Sequence, residues 1–364
     1  MMKVLILPAI IYVAFRIFKI LPVKRWLKIA ILSVYGLGAV AFALTITGMI
    51  DHLPMSLAAA TYVFGNSWLI FLLYSCLLFL LMDVLRLMRI LPGKLLQSSI
   101  VGSVLVFGIV AGLMVYGGIH YHHKYREEMT IASAKIAEPV KIVLVSDLHA
   151  GYHNRHREIG RWVNMINAEQ PDLVLMAGDL IDRSMRAVRY DHDASRLLKI
   201  QAPVYACLGN HEYYAGVDDA ITFYKEADIT LLRDSVAHAC GITIVGRDDA
   251  KNEDRRKLVN IMKAADRKSF ILLLDHKPID LLEAQLAGVD FQFSGHTHSG
   301  QVWPISIIAR VENELSHGHL KKGDTQYYVT SGLGIWGGKF RIGTRSEYLV
   351  LNLVPEVSAS TPQN

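Results

Sequence analysis

The chain has 364 residues, enough for two domains, with 52% hydrophobic residues and a formal net charge of +5. The charge is uneven: twelve Lys and Arg face five acids in the first 139 residues, and 26 face 28 in the remainder. The near-neutral second part argues against a basic face that tracks nucleic acid, and three cysteines without a Cys-x-x-Cys pair (Cys76, Cys207, Cys240) argue against a disulfide framework.

Three long, almost uncharged runs come first, at 29–50, 68–82 with its flanks, and 98–119. Each has about the 20 residues that cross a hydrocarbon core as a helix. A further run, 4–21, is interrupted by Arg16 and Lys19, which could snorkel to the headgroups. Together they predict a membrane domain over 1–120 with about four transmembrane helices, followed by a linker over 121–139. A cleavable signal peptide fits poorly, because no small-x-small site follows the first run and more apolar runs come after it. Arg16, Lys19, Lys24, Arg25 and Lys28 lie between the first and second runs, and Arg86, Arg89 and Lys94 between the third and fourth. The positive-inside bias puts both connections in the cytoplasm and the C-terminal domain outside it. Only Asp83 carries charge within a run, close to Arg86 at its end, so the helices read as a passive anchor rather than a transporter. His120, His122 and His123 read as interfacial residues at a helix exit.

From Pro139 the pattern alternates between short apolar strands and amphipathic helices, the signature of a layered α/β domain. Strands are predicted over 142–146, 173–176, 204–208, 242–245, 270–274, 291–293, 327–330 and 348–353. Helices are predicted over 156–169, 191–200, 218–227, 253–265 and 279–286. Five of the strands end in polar residues suited to ligation: Asp147 and His149, Asp179 and Asp182, Asn210 and His211, Asp275 and His276, and His296 and His298. Taken alone, Asp-x-His after a strand says little; five such endings would converge on one edge of a sheet, where α/β folds place ligands. Glycines at three of these turns let the backbone bend and approach an ion or phosphate. Imidazole and carboxylate donors with one amide and no thiolate suit Mn, Fe or Zn. So many donors call for two ions, which sit about 3.5–4 Å apart in sites that clamp both oxygens of a phosphoryl transfer.

The stretch from Lys141 to about Leu353 resembles the calcineurin-like metallophosphoesterases, within them a membrane-anchored bacterial branch that ends Gly-His-Thr-His-x-Gly-Gln, here residues 295–301. The resemblance implies a four-layer sandwich, two central β-sheets with helices outside, over 140–354; the short, polar stretch 355–364 reads as a disordered tail. It implies that Asp147, His149 and His298 hold one divalent metal ion, that Asn210, His276 and His296 hold the other, and that Asp179 bridges them. His211 would be the general acid and Asp182 the acid that orients it. Arg183 matches a phosphate-contacting arginine of the protein-phosphatase branch, a position where branches differ. The 332–345 segment matches the branch's C-terminal loop; its glycines suggest a flexible lip, with Trp336, Arg341 and Arg345 as candidate substrate contacts.

Other residues have plainer readings. Asp275 fits either a supporting acid beside a ligand histidine or a strand-end carboxylate. His153, His156, His317 and His319 read as surface or substrate-loop residues. The expectation is therefore a metal-dependent phosphoesterase in a bacterial plasma membrane, its catalytic domain extracytoplasmic and its substrate a phosphodiester, pyrophosphate or phosphomonoester. Membrane anchoring makes a lipid-linked substrate plausible. The competing expectation is a non-catalytic metal-binding or sensor module on a membrane stem; the His211–Asp182 pair argues against it, since metal binding alone needs no general acid.

Overall fold

A computed structural model describes residues 2–356 and divides them into two units, one made of 1–120 with 337–340 and the other of 121–336 with the residues after 340. In the first unit, helices cover Met2–Ile20, Arg25–Ile46, Met55–Leu87 and Ile100–His122. Among the described residues three are long and apolar enough to cross a membrane: Arg25–Ile46, Met55–Leu87 and Ile100–His122. The run expected as a fourth also forms a helix, Met2–Ile20, which carries Arg16 and Lys19. Met55–Leu87, with 33 residues, rises about 50 Å against a core of about 30 Å. Aliphatic side chains such as Leu37, Val40, Val104 and Ile119 stay on the outside of these helices, as lipid contact requires.

Arg16 does not snorkel. It is buried and pairs with Asp83 at 3.1 Å, while Tyr12 Oη donates to the same carboxylate at 2.5 Å. A charge in an apolar surround is least costly when paired and hydrogen-bonded, and here the partner stands on another helix.

The second unit holds twelve strands: β1 Lys124–Ser133, β2 Val140–Val145, β3 Leu173–Ala177, β4 Val204–Cys207, β5 Thr230–Leu231, β6 Ser235–Ala239, β7 Ile242–Gly246, β8 Phe270–Leu274, β9 Phe291–Ser294, β10 Gly318–Lys322, β11 Thr325–Val329 and β12 Ser346–Pro355. They form two six-stranded mixed sheets, ordered β1-β12-β2-β3-β4-β5 and β10-β11-β9-β8-β7-β6. In each sheet the central strands run parallel, β2 to β5 in one and β7, β8, β9 and β11 in the other. Their continuous apolar sequences fit strands buried on both faces.

The core follows the period-2 alternation of these strands. Ile142, Leu144, Leu173 and Leu175 of one sheet pack with Leu272, Leu274, Phe291 and Phe293 of the other. The opposite face of the first sheet, through Val143, Val145 and Val174, buries Ile159, Trp162 and Ile166 of helix His156–Ala168. The opposite face of the second, through Val245, Ile271 and Leu273, packs on Leu258, Ile261, Leu281 and Ala284. Helix, sheet, sheet, helix is the expected four-layer sandwich.

Three differences from the expected elements matter. The stretch expected as linker contains β1, an edge strand parallel to β12 over its whole length. The helix expected over 253–265 shrinks to Leu258–Ile261 and one further 3-10 turn, Met262–Ala264. Strand β12 runs through Pro355, one residue into the expected tail, whose residues 357–364 lie outside the described ones.

Candidate metal centre

Each parallel strand delivers its polar residues at its carboxyl end. Asp147 and His149 follow β2, Asp179 and Asp182 follow β3, Asn210 and His211 follow β4, His276 follows β8, and His296 and His298 follow β9. Five of these, Asp147, His149, Asp179, His296 and His298, have positive φ. Left-handed backbone at non-glycine residues costs about 1 kcal/mol or more each and gathers at functional sites. Here it turns side chains off the strand direction and toward one another. The backbones also approach so closely that a Cβ on Gly209 would collide with the Asp179 carboxylate, and one on Gly295 with that of Asp147.

The side chains meet in groups. Asp147, His149 and His298 form one in which a ligand atom from each lies within 4.8 Å of the others; Asp179, His276 and His296 form a second. His149 Nε2 and His298 Nε2 stand 3.1 Å apart, and Asp147 Oδ1 lies 3.6 Å from the first and 3.4 Å from the second. Asp179 Oδ2 faces both groups, at 3.1 Å from His276 Nε2 and 3.7 Å from His149 Nε2. A third grouping, His149, Asp179 and His211, overlaps the first two.

These donors suit divalent cations. Asn210 Oδ1 and His276 Nε2 are buried with no hydrogen-bond partner, although an orphaned buried polar atom normally costs about 1–3 kcal/mol. His276 Nδ1 donates to the Ala177 carbonyl at 2.8 Å, which leaves Nε2 directed inward toward Asp179, the usual support of a ligating histidine. Electrostatics agrees. Burial works against charge on His149 and His276, but the Asp147, Asp182 and Asp179 carboxylates outweigh it and raise both to about 10. Burial would raise Asp147 and Asp179, yet the surrounding histidines hold both below the usual carboxylate range. Burial, reinforced by His276, lowers His296 to about 4, and burial lowers His298.

His211 shares the third of these groups and is also held by partners of its own. Its Nδ1 is 3.1 Å from Asp182 Oδ1, and its backbone N–H donates to Asp179 Oδ1 at 2.9 Å. Asp182 also lies 3.6 Å from His149 Nδ1, so one carboxylate steadies two imidazoles. The ring faces two exposed aromatic residues, Tyr214 at 5.3 Å and Trp336 at 6.4 Å between centroids.

Glu212 has a role that sequence reading did not assign. It is fully buried, and its carboxylate accepts from the backbone N–H groups of Gly209, Asp179 and Ile181 and from Tyr224 Oη. One side chain thereby joins the β3 and β4 turns. Its signal was its place two residues after Asn210, opening helix Asn210–Ala215, where a carboxylate meets free N–H groups.

Two expected substrate contacts are corrected. Arg341 is fully buried; its guanidinium donates to the carbonyls of His298, Ser331 and Gly334 and to Ser346 Oγ. It ties the C-terminal loop to the β9 turn, because a buried guanidinium must satisfy its donors. Arg345 is committed to Glu347 at 3.0 Å and Glu127 at 2.9 Å. Arg183 is exposed, 5.9 Å from the centre of the Tyr214 ring. His153 is buried rather than on the surface, its Nε2 2.6 Å from the Ile335 carbonyl. His156 lies 3.5 Å from Asp191, His317 pairs with Glu347, and His319 meets Gln326. Asp275, expected as either a supporting acid or a strand-end carboxylate, pairs with Arg247 and Arg255.

Residues 140–300 match the family model for calcineurin-like phosphoesterase. The chain carries a calcineurin-like phosphoesterase domain. It is 31% identical to an uncharacterized metallophosphoesterase of Helicobacter pylori over 64% of this chain and 65% of that protein. It is 29% identical to a zebrafish (Danio rerio) transmembrane protein with metallophosphoesterase domain, over 79% of this chain and 74% of that one. The chain thus spans just under two thirds of the Helicobacter relative's length. Among solved structures, the Haemophilus influenzae NAD nucleotidase aligns with 56% of this chain and 46% of its own, at 15% identity and a TM-score of 0.38.

Proposed function

We propose that this protein is a membrane-associated, metal-dependent phosphoester hydrolase whose phosphoesterase domain uses two divalent ions. The observation that carries this reading is Asp179 Oδ2, which faces an imidazole of each of two ligand groups. Asp147, His149 and His298 would hold one ion; Asn210, His276 and His296 would hold the other; Asp179 would bridge. Nitrogen and oxygen donors without thiolate favour Mn, Fe or Zn. When bound, such ions polarise the phosphoryl oxygens and make hydroxide available near neutral pH.

The chain's own residues supply the rest. Asp182 accepts the Nδ1 proton of His211 and fixes the ring, so that Nε2 is the nitrogen left to hand a proton to the leaving oxygen. The attacking oxygen bonds to phosphorus as the bond to the leaving oxygen breaks, and that oxygen takes the Nε2 proton; water then restores it. Glu212 and the Asp179–His211 backbone contact hold the two turns in register, so the imidazole keeps its place beside the bridging carboxylate.

The substrate is a phosphodiester, pyrophosphate or phosphomonoester, and the apolar helices favour one that is itself lipid-linked. The decisive screen uses detergent-purified full-length protein with added Mn and chromogenic mono- and diesters. Hydrolysis that is lost to chelator and regained with Mn is expected; metal binding without hydrolysis of any ester would mark a sensor module instead.

The Lys and Arg distribution supports a phosphoesterase domain on the extracytoplasmic face of a bacterial plasma membrane, and this is the localisation we propose. A reporter active only outside the cytoplasm should therefore work when fused after Asn364 and be silent when fused near Lys24 or Lys94. The reverse pattern would overturn this localisation.

A further inference from the structure

The loop over 247–257, which follows β7, is held by charges that no ligand group uses. Arg247 reaches Glu283 at 2.7 Å and Asp275 at 3.4 Å, and Arg255 reaches Asp275 at 2.5 Å. Asp248 accepts from Tyr213 Oη at 2.6 Å, Arg233 Nε at 2.9 Å and Asn252 Nδ2 at 3.0 Å. Asp249, 1% exposed, meets Lys277 Nζ at 3.2 Å. Buried pairs of this kind contribute little net stability, but breaking one is costly, so they hold the loop in place.

What the loop presents is Lys251. Its side chain is exposed, it forms no ion pair among the described residues, and its ammonium lies 5.3 Å from the centre of the Tyr214 ring. Arg183, from the turn after β3, stands 5.9 Å from the same ring. Tyr214 is 48% exposed and lies against His211. Two cations from different turns therefore share one exposed ring beside the imidazole assigned to the leaving oxygen.

We propose that Tyr214, Lys251 and Arg183 form a leaving-group subsite that takes a second anionic group. The inference rests on the hydrolase reading above and deepens it: the preferred substrate is a phosphoanhydride, or another ester whose leaving group carries its own phosphate. Lys251 is a positioning residue here. A cation over the Tyr214 ring attracts the remote phosphate without touching the reacting atoms, so its loss weakens binding rather than chemistry.

The test compares P1,P2-dimethyl pyrophosphate, whose leaving group is an anionic methyl phosphate, with methyl p-nitrophenyl phosphate, using Mn-loaded full-length protein. Lys251→Gln should raise KM for the anhydride about tenfold more than for the nitrophenyl ester, with kcat for the anhydride falling less than about twofold. Arg183→Gln should shift the same ratio in the same direction. Equal effects on both substrates, or a loss confined to kcat, would overturn the subsite. Calorimetry gives a readout independent of turnover. Wild-type protein should bind methylenediphosphonate at least about tenfold more tightly than methylphosphonate, and Lys251→Gln should narrow that preference to less than about threefold. An identical preference in both proteins would also overturn it. If wild-type protein hydrolyses neither these substrates nor any ester of the screen above, the hydrolase reading fails, and the calorimetric comparison still decides the subsite.

Discussion

Asp179→Asn should lower turnover by more than about 10²-fold, the loss that even a supporting residue of a metal site can cause, and should deplete both ions together. The carboxylate lies 3.1 Å from His276 Nε2 and 3.7 Å from His149 Nε2, so its charge serves both groups. Asparagine keeps the acceptor that holds the His211 backbone N–H and keeps the side chain's volume. The variant should therefore fold, with far-UV circular dichroism like the wild type. Asn210→Ala is the contrast: its buried, unpartnered Oδ1 is assigned to the second ion alone, so its loss should deplete that ion and spare the other. Elemental analysis of the two variants side by side would show the difference. Equal depletion in both would remove Asp179 from its bridging role.

His211→Ala should lower turnover by about 10²–10⁴-fold, the range of a general acid, while both ions stay bound. The loss should be largest for alkyl leaving groups and much smaller for p-nitrophenolate, which departs without a proton. Asp182→Asn should give a milder version, because it keeps the shape of the partner 3.1 Å from Nδ1 but not its charge. His211 also belongs to the overlapping group with His149 and Asp179. If His211→Ala strips an ion, or slows both leaving groups alike, His211 is a ligand and not the acid.

The five strand endings were legible because a carboxylate or imidazole after a buried apolar run has few places to go, and the carboxyl edge of a parallel sheet is one of them. The structure brings Asp147, His149, Asp179, Asn210, His276, His296 and His298 to that edge. The supporting residues were harder to see. Glu212 looks like any acid at a helix start until its contacts with three backbone N–H groups are known. Arg341 sits in a glycine-rich stretch that reads as an exposed lip, and arginine is rarely fully buried, so its tether to carbonyls could not be anticipated. Strand β1 reads as linker because Arg126, Glu127 and Glu128 hide its alternation, and its partner β12 begins with Ser346, more than two hundred residues away. The loop over 247–257 has helical composition at its end, but Asp234 accepts the backbone N–H of Arg256 and Glu283 that of Leu258, which competes with helix formation there.

The most direct test of a two-ion hydrolase is to titrate metal-stripped full-length protein with Mn while following hydrolysis of the best ester from the screen. The rate should rise to a plateau at two equivalents per chain. His149 and His276, raised to about 10 by their carboxylates, must lose protons for an ion to bind. Acid therefore favours the proton and base favours the ion, so half-saturation should need more Mn at pH 6 than at pH 8. A plateau at one equivalent, or hydrolysis that persists in the metal-stripped protein, would contradict the account.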